Sequence, residues 1–129
     1  MQTENKNYSV PAKIKKIPKA DEKILKDLEK IIKAVNSNLN KYQFGQALRR
    51  IYHFFWKEFC DKYIEDAKER LQKAKTKEER DDVVIILLYV LLSSLKLLHP
   101  LVPFVTEEIY QNLPLKNKKQ CLMVEDWPN

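Results

Sequence analysis

Glycine is almost absent from this sequence of 129 residues, which has Gly45 and no other. Sheet-rich folds use glycine repeatedly at tight turns, whereas helical bundles with short connections can manage without it. A phosphate-binding loop of the Walker or dinucleotide type needs two or three closely spaced glycines. The scarcity of glycine therefore favours an all-α fold and excludes the common nucleotide-binding loops.

Cysteines and long apolar runs are scarce as well. The two cysteines, Cys60 and Cys121, form neither a disulfide framework nor the paired spacing of a zinc site, so we expect reduced thiols. The N-terminus lacks the apolar stretch of a signal peptide. The most apolar run, residues 83–92, is shorter than the roughly 20 residues that cross a membrane. These features predict a cytoplasmic protein without a membrane partner.

Histidine, the most common general base, occurs twice. His53 has Lys57 four residues away and no carboxylate at helical spacing, and His99 precedes a proline. Neither histidine has the neighbours of a metal site or of a nucleophile. We therefore predict no catalytic residue, no metal ligand and no cofactor for this chain.

Positive charge is concentrated near the N-terminus. Residues 1–20 hold five lysines against Glu4, a net charge of +4, so the rest of the chain carries only +2 of the total +6. Residues 1–19 contain two prolines and no helical period, which predicts a basic arm or linker ahead of a helical domain at residues 20–129. The arm is either a plain linker or a contact for RNA phosphates. Any nucleic-acid surface on the domain itself must be a local patch.

Apolar periodicity predicts a bundle of about four helices. The first spans residues 21–38, with apolar side chains at three- and four-residue steps. The second spans residues 43–73 and is apolar over most of its circumference, so we expect it at the centre of the bundle.

Capping residues define the remaining helices. Thr76 and Glu79 form a capping box that opens the third helix, which must end before Pro100. Thr106 is expected to cap a short fourth helix whose first turn contains two glutamates. The apolar tail at residues 121–124 is suited to an extended strand.

An aromatic group in the second helix has two possible roles, base stacking or core packing. Its members are spaced helically among aliphatic residues, which favours the core: Tyr52, Phe54, Phe55, Trp56, Phe59 and Tyr63. On this interpretation Trp56→Ala costs about 3–5 kcal/mol of stability.

Basic residues border the bend before the second helix and follow its polar stripe. They are either a solvated face or an RNA-contact patch, and Tyr42 at the bend is expected to expose its ring. Arg49 and Arg50 point about 100° apart on a helix, so we expect one of them to matter, with Arg50 favoured. The candidate RNA-binding residues are Lys41, Tyr42, Arg49, Arg50, His53 and Lys57.

Three segments and the chain's end resemble a known family. They read KYQFGQA at 41–47, FFWKEFCDKYI at 54–64, LLHPLVPFVTEEI at 97–109 and Trp-Pro at 127–128. In this order they resemble the anticodon-binding domain of valyl-tRNA synthetase, a class I aminoacyl-tRNA synthetase, from about residue 8 onward. The third segment is shared with the isoleucine and leucine enzymes, whereas the second is more similar to the valine enzyme. Lys62 stands where that family usually has tryptophan.

The resemblance implies a helical bundle that holds the anticodon stem-loop of a tRNA. Its partners would be that tRNA and the catalytic domain of a parent synthetase, where ATP and magnesium would bind. The family's His-x-Gly-His and Lys-Met-Ser-Lys-Ser elements do not occur in this sequence. Two alternatives remain open: a leucyl- or isoleucyl-tRNA synthetase as the parent, or a helical protein-interaction module that has lost RNA binding.

We expect this chain alone to form no aminoacyl adenylate, because one glycine cannot build a nucleotide-binding loop. ATP–pyrophosphate exchange in the presence of valine measures this activity directly. Turnover above that of a heat-killed sample would contradict the noncatalytic interpretation.

Overall fold

The computed structural model describes residues 21–115, 121–122, 125 and 127–128. Most of this part of the chain is helical, and it contains no β-strand. The elements in order are α1 (Glu22–Asn40), α2 (Phe44–His53), a π-helical segment (Phe54–Tyr63), α3 (Ile64–Lys73), α4 (Lys77–Leu98) and α5 (Pro103–Gln111). The predicted all-α bundle is confirmed. The predicted arm at residues 1–19 lies outside the described residues, as do Met123 and Val124 of the predicted tail strand.

The bundle packs around α4. This helix contacts α1, α2, α3 and α5, and its apolar run is buried on nearly every side. The second helix shares the expected central position with α4: the second helix contacts α1 and α4, and α4 contacts α5 as well. Both helices are rich in apolar residues, but the second keeps polar residues along its whole length, whereas α4 has none between Val83 and Leu92.

The capping box at the start of α4 is present. The Thr76 hydroxyl accepts a hydrogen bond from the Glu79 amide at 3.2 Å, and the Glu79 carboxylate accepts one from the Lys75 amide at 3.0 Å. The reciprocal bond thus reaches one residue further back than the standard motif. It fixes the turn that brings α4 against α3.

Thr106 does not cap the last helix, so that prediction was wrong. The helix begins at Pro103, whose ring pre-sets the backbone angle of a first helical residue. Thr106 is buried inside α5, where its hydroxyl lies 3.0 Å from the Val102 carbonyl and 2.9 Å from Nδ1 of His99. Thr106 therefore links the end of α4 to the start of α5.

The second helix runs without a break from α2 through the π-helical segment into α3. Along the π-helical segment, Phe59 stacks on Phe55 at 5.6 Å and on Tyr63 at 6.0 Å between ring centroids. Phe59 and Tyr63 are buried and Phe55 is partly buried. For these residues and for Phe54 the predicted core role is confirmed.

The other two aromatic residues of that group are exposed, so their predicted core role was wrong. Trp56 is 47% exposed and Tyr52 is 61% exposed. The buried face of α2 is set by Ala47 and Ile51. Tyr52 follows Ile51 directly and so points about 100° away from that face. Trp56, one turn further on, continues the exposed side.

A buried ion pair connects the start of α1 to the far end of the second helix. Asp21, directly before α1, is fully buried. Its carboxylate accepts hydrogen bonds from the Tyr63 hydroxyl at 2.8 Å and from both terminal nitrogens of Arg70, with Nη2 at 3.0 Å from Oδ2. Burial and then the Asp21 charge raise the pKa of the Tyr63 hydroxyl well above its usual value. The hydroxyl therefore stays protonated and donates.

Removing the Asp21 charge should destabilise the domain strongly. We expect Asp21→Asn to cost about 3 kcal/mol, because the partly buried Arg70 then keeps only the more distant Asp66 carboxylate as a charged partner. The matched control is Asp66→Asn, which removes an exposed Arg70 partner at 3.7 Å and should cost under about 1 kcal/mol. Urea denaturation measures both. Equal losses would show that Asp21 is not the anchor.

Candidate nucleic-acid interface

A tight turn joins α1 to α2. The buried Asn38 side chain donates to Oε1 of Gln43 at 2.9 Å and to Oε1 of Gln46 at 3.3 Å, while the Asn38 carbonyl accepts from the Gln43 amide at 2.8 Å. Tyr42 adopts a left-handed backbone conformation with φ 59°. This turn leaves Lys41 exposed and the Tyr42 ring 81% exposed, as expected for Tyr42.

All six candidate residues are exposed. Lys41 and Tyr42 lie at the turn, while Arg49, Arg50 and His53 lie on α2 and Lys57 on the π-helical segment. The structure thus places them along one continuous helix and the turn that precedes it. It does not bring them to a single face.

Arg50 and His53 line a groove of about 330 Å³ between α1 and the second helix. The groove has charges of both signs, since its other walls include Lys23 and Lys30 but also Asp27 and Glu58. These carboxylates would oppose a phosphate there. The carboxylates count against the sequence-based preference for Arg50, while Lys23 and Lys30 favour a phosphate there, so that preference stays a prediction.

Arg49 lies about 100° around α2 from Arg50, beside a row of exposed apolar side chains. We call this row the exposed stripe, and it repeats every four residues: Phe44, Leu48, Tyr52 and Trp56. Residues three and four apart are neighbours on a helix surface, which places Arg49 next to Tyr52. The Tyr52 and Trp56 rings are 6.1 Å apart with planes at 58°. At the turn, Tyr42 meets Phe44 edge-on at 6.3 Å.

The charge along this part of the chain has one sign. Residues 41–57 include Lys41, Arg49, Arg50 and Lys57 and no aspartate or glutamate. Lys57 does meet Asp61, but at 3.9 Å with both side chains mostly exposed. Such a pair is weak and leaves the Lys57 ammonium accessible. We call the exposed side chains of Lys41, Arg49, Arg50 and Lys57 the basic surface; it follows the turn and the second helix, with the exposed stripe beside Arg49.

The described residues contain no other arrangement with obvious chemistry. No group of three or more histidine, cysteine or acidic side chains among them could hold a metal ion. Burial, and next the neighbouring Asp61, raise the pKa of the Cys60 thiol, which disfavours a reactive thiolate. Within the same part of the chain, no helix has both the length and the apolar character to cross a membrane.

The fold agrees with the family comparison. Residues 21–129 match the family model described as the anticodon-binding domain of tRNA ligase. The chain belongs to this family.

The relatives are valine–tRNA ligases. The chain is 41% identical over 122 residues to the enzyme of Pseudothermotoga lettingae, covering 95% of this chain and 13% of that ligase. It is 43% identical over 119 residues to the Fervidobacterium nodosum enzyme, at 92% and 13% coverage. It is 44% identical over 108 residues to the Thermotoga maritima enzyme, at 84% and 12%. The chain therefore matches an anticodon-binding domain of valine–tRNA ligases and spans a small part of their length.

Two aromatic truncations distinguish the exposed stripe from the core. Phe59→Ala should cost about 3–5 kcal/mol, because this ring is fully enclosed. Trp56→Ala should cost about 1–2 kcal/mol, because roughly half of its surface already meets water. Urea denaturation of both variants gives the comparison. A larger loss at Trp56 than at Phe59 would contradict the exposed stripe.

Proposed function

We propose that this domain binds the anticodon stem-loop of a tRNA as part of a valine–tRNA ligase in protein synthesis. The observation that carries the proposal is the basic surface along the turn and α2, free of acidic residues from 41 to 57, in a domain of this family. Lysine and arginine side chains fix the position of a nucleic acid through its phosphates. Proteins read RNA sequence mostly in single-stranded loops, where bases can be splayed out.

Catalysis belongs, in this proposal, to another part of the ligase. The chain corresponds to 12–13% of the length of its relatives. Valine activation, with ATP and magnesium, would take place on a catalytic domain, and this domain would contribute tRNA binding alone. We expect the ligase to act in the cytoplasm, as a part of protein synthesis.

A second surface suits contact with that catalytic domain. The start of α5 and the residue before it expose Val102, Val105 and Phe104, the last at 89%. The same helix carries Glu107 and Glu108 and no basic residue. Acidic side chains beside apolar ones disfavour a phosphate backbone and are compatible with a protein partner.

Within the basic surface, Arg49 is the better phosphate ligand of the two adjacent arginines. Arg50 shares its groove with Asp27 and Glu58. Arg49 lies beside the exposed stripe, with Lys41 and Lys57 toward its two ends. We expect these three side chains to contact the RNA backbone.

Alanine substitution of each contact residue should reduce the salt dependence of binding. Each lost phosphate contact lowers the slope of log affinity against log salt by somewhat under one unit. We expect this for Lys41→Ala, Arg49→Ala and Lys57→Ala, and little change for Arg50→Ala. Fluorescence titrations of a labelled valine anticodon stem-loop at several salt concentrations measure the slopes. The isolated domain should bind with a Kd on the order of micromolar or weaker.

Lys68→Ala is the matched control for Lys57→Ala. Lys68 is similarly exposed and likewise paired with a carboxylate, Glu65, but it lies on α3 away from the basic surface. Its removal should leave the slope unchanged. If Lys68→Ala changed the slope as much as Lys57→Ala, binding would be nonspecific. If the unmodified domain bound no stem-loop at low salt, the proposed function would be wrong.

A further inference from the structure

We propose that the exposed stripe is the surface on which unpaired bases of the bound RNA stack. The inference rests on the proposed function and names the part of the RNA that meets this side of α2. Its basis is the position of Phe44, Leu48, Tyr52 and Trp56 on one exposed side of a helix.

The exposed stripe is a rigid platform. The opposite side of its helix packs into the core through Ala47, Ile51 and Phe54, all of which are buried. At 1.5 Å per residue, the stripe from Phe44 to Trp56 is about 18 Å long, several times the thickness of a base. A soluble domain seldom leaves such a continuous apolar row in water without a partner.

Charge favours RNA over protein as that partner. Lys41 stands at one end of the stripe, Arg49 near its middle and Lys57 at the other end, where it also meets Asp61 at 3.9 Å; residues 41–57 themselves contain no acidic residue. Grooves for single-stranded nucleic acid combine basic side chains on the backbone with aromatic rings under the bases. The exposed apolar residues of α5 have the opposite surroundings, with Glu107 and Glu108 beside them.

The ligand class follows from the chemistry of the rings. Every nucleobase has a π face, so stacking on Tyr52 or Trp56 accepts any unpaired base. A paired stem keeps its bases stacked inside the helix and offers these rings nothing. The stripe should therefore contribute affinity for the loop with little base selectivity.

Two RNA hairpins separate loop stacking from backbone binding. One is the valine anticodon stem-loop, and the other has the same stem and phosphates with abasic nucleotides throughout the loop. The unmodified domain should bind the intact hairpin roughly tenfold more tightly or better, with similar salt slopes for both.

Substitutions assign that difference to the stripe. Tyr52→Ala and Trp56→Ala should each remove most of the preference for the intact loop, while Tyr52→Phe and Trp56→Phe should keep it. The control is Phe104→Ala, which removes an exposed ring outside the stripe and should change neither affinity. If an alanine variant unfolds, Tyr52→Leu and Trp56→Leu replace it: they keep an apolar side chain at a largely exposed position but have no π face, so they should lose the preference that the phenylalanine variants keep.

Trp56 also reports the contact directly. The chain has two tryptophans, and the other, Trp127, lies in the tail, where its indole donates to Asn36 at 2.6 Å. In a Trp127→Phe variant, Trp56 is the sole tryptophan. Its emission should be quenched by the intact hairpin and remain unchanged with the abasic hairpin at saturation.

The outcomes distinguish this inference from the proposed function. Equal, salt-dependent binding of both hairpins without quenching would overturn stacking and leave RNA binding intact, and a protein partner would then be the occupant of the stripe. Binding of neither hairpin would overturn the proposed function and the stacking inference together.

Discussion

The architecture depends on the buried contact between Asp21, Tyr63 and Arg70. It ties the residue before α1 to the end of the π-helical segment and to α3. Tyr63 lies 42 positions and Arg70 49 positions from Asp21 along the chain. A fully buried carboxylate is costly unless its oxygens are satisfied, and here a hydroxyl and a guanidinium satisfy both. With α1 fixed against the long second helix at this end and the Asn38 turn closing the other, the basic surface is held in place.

In the proposed function, the second helix has both a structural and a binding role, because its two sides differ. Ala47, Ile51 and Phe54 bury one side in the bundle, and the opposite side leaves Tyr52 and Trp56 in water. A binding surface mounted on a helix moves less than one mounted on a loop, so its rings and charges are pre-positioned. Such pre-positioning lowers the conformational entropy lost when RNA binds. In the proposed function, stability and recognition therefore rest on one element.

Local pattern made most helices and the capping box predictable, because periodicity and caps act within a few residues. It could not show which apolar side of the second helix is buried, since a row at 44, 48, 52 and 56 looks like a core stripe, and Trp56 was therefore misplaced. Thr106 was misjudged because Pro103 starts α5 earlier. The sequence predicts that the five basic candidates and Tyr42 border the turn and the polar stripe, but the groove that separates Arg50 from Arg49 depends on how α1 packs.

The central claim is that RNA lies along the turn and α2. Chemical-shift mapping of the isotope-labelled domain with the valine anticodon stem-loop tests it most directly, because every backbone amide reports. The account predicts perturbations concentrated between Lys41 and Lys57, with the Trp56 indole among them and α5 unaffected. Perturbations centred on α5, with the turn and α2 unchanged, would contradict it.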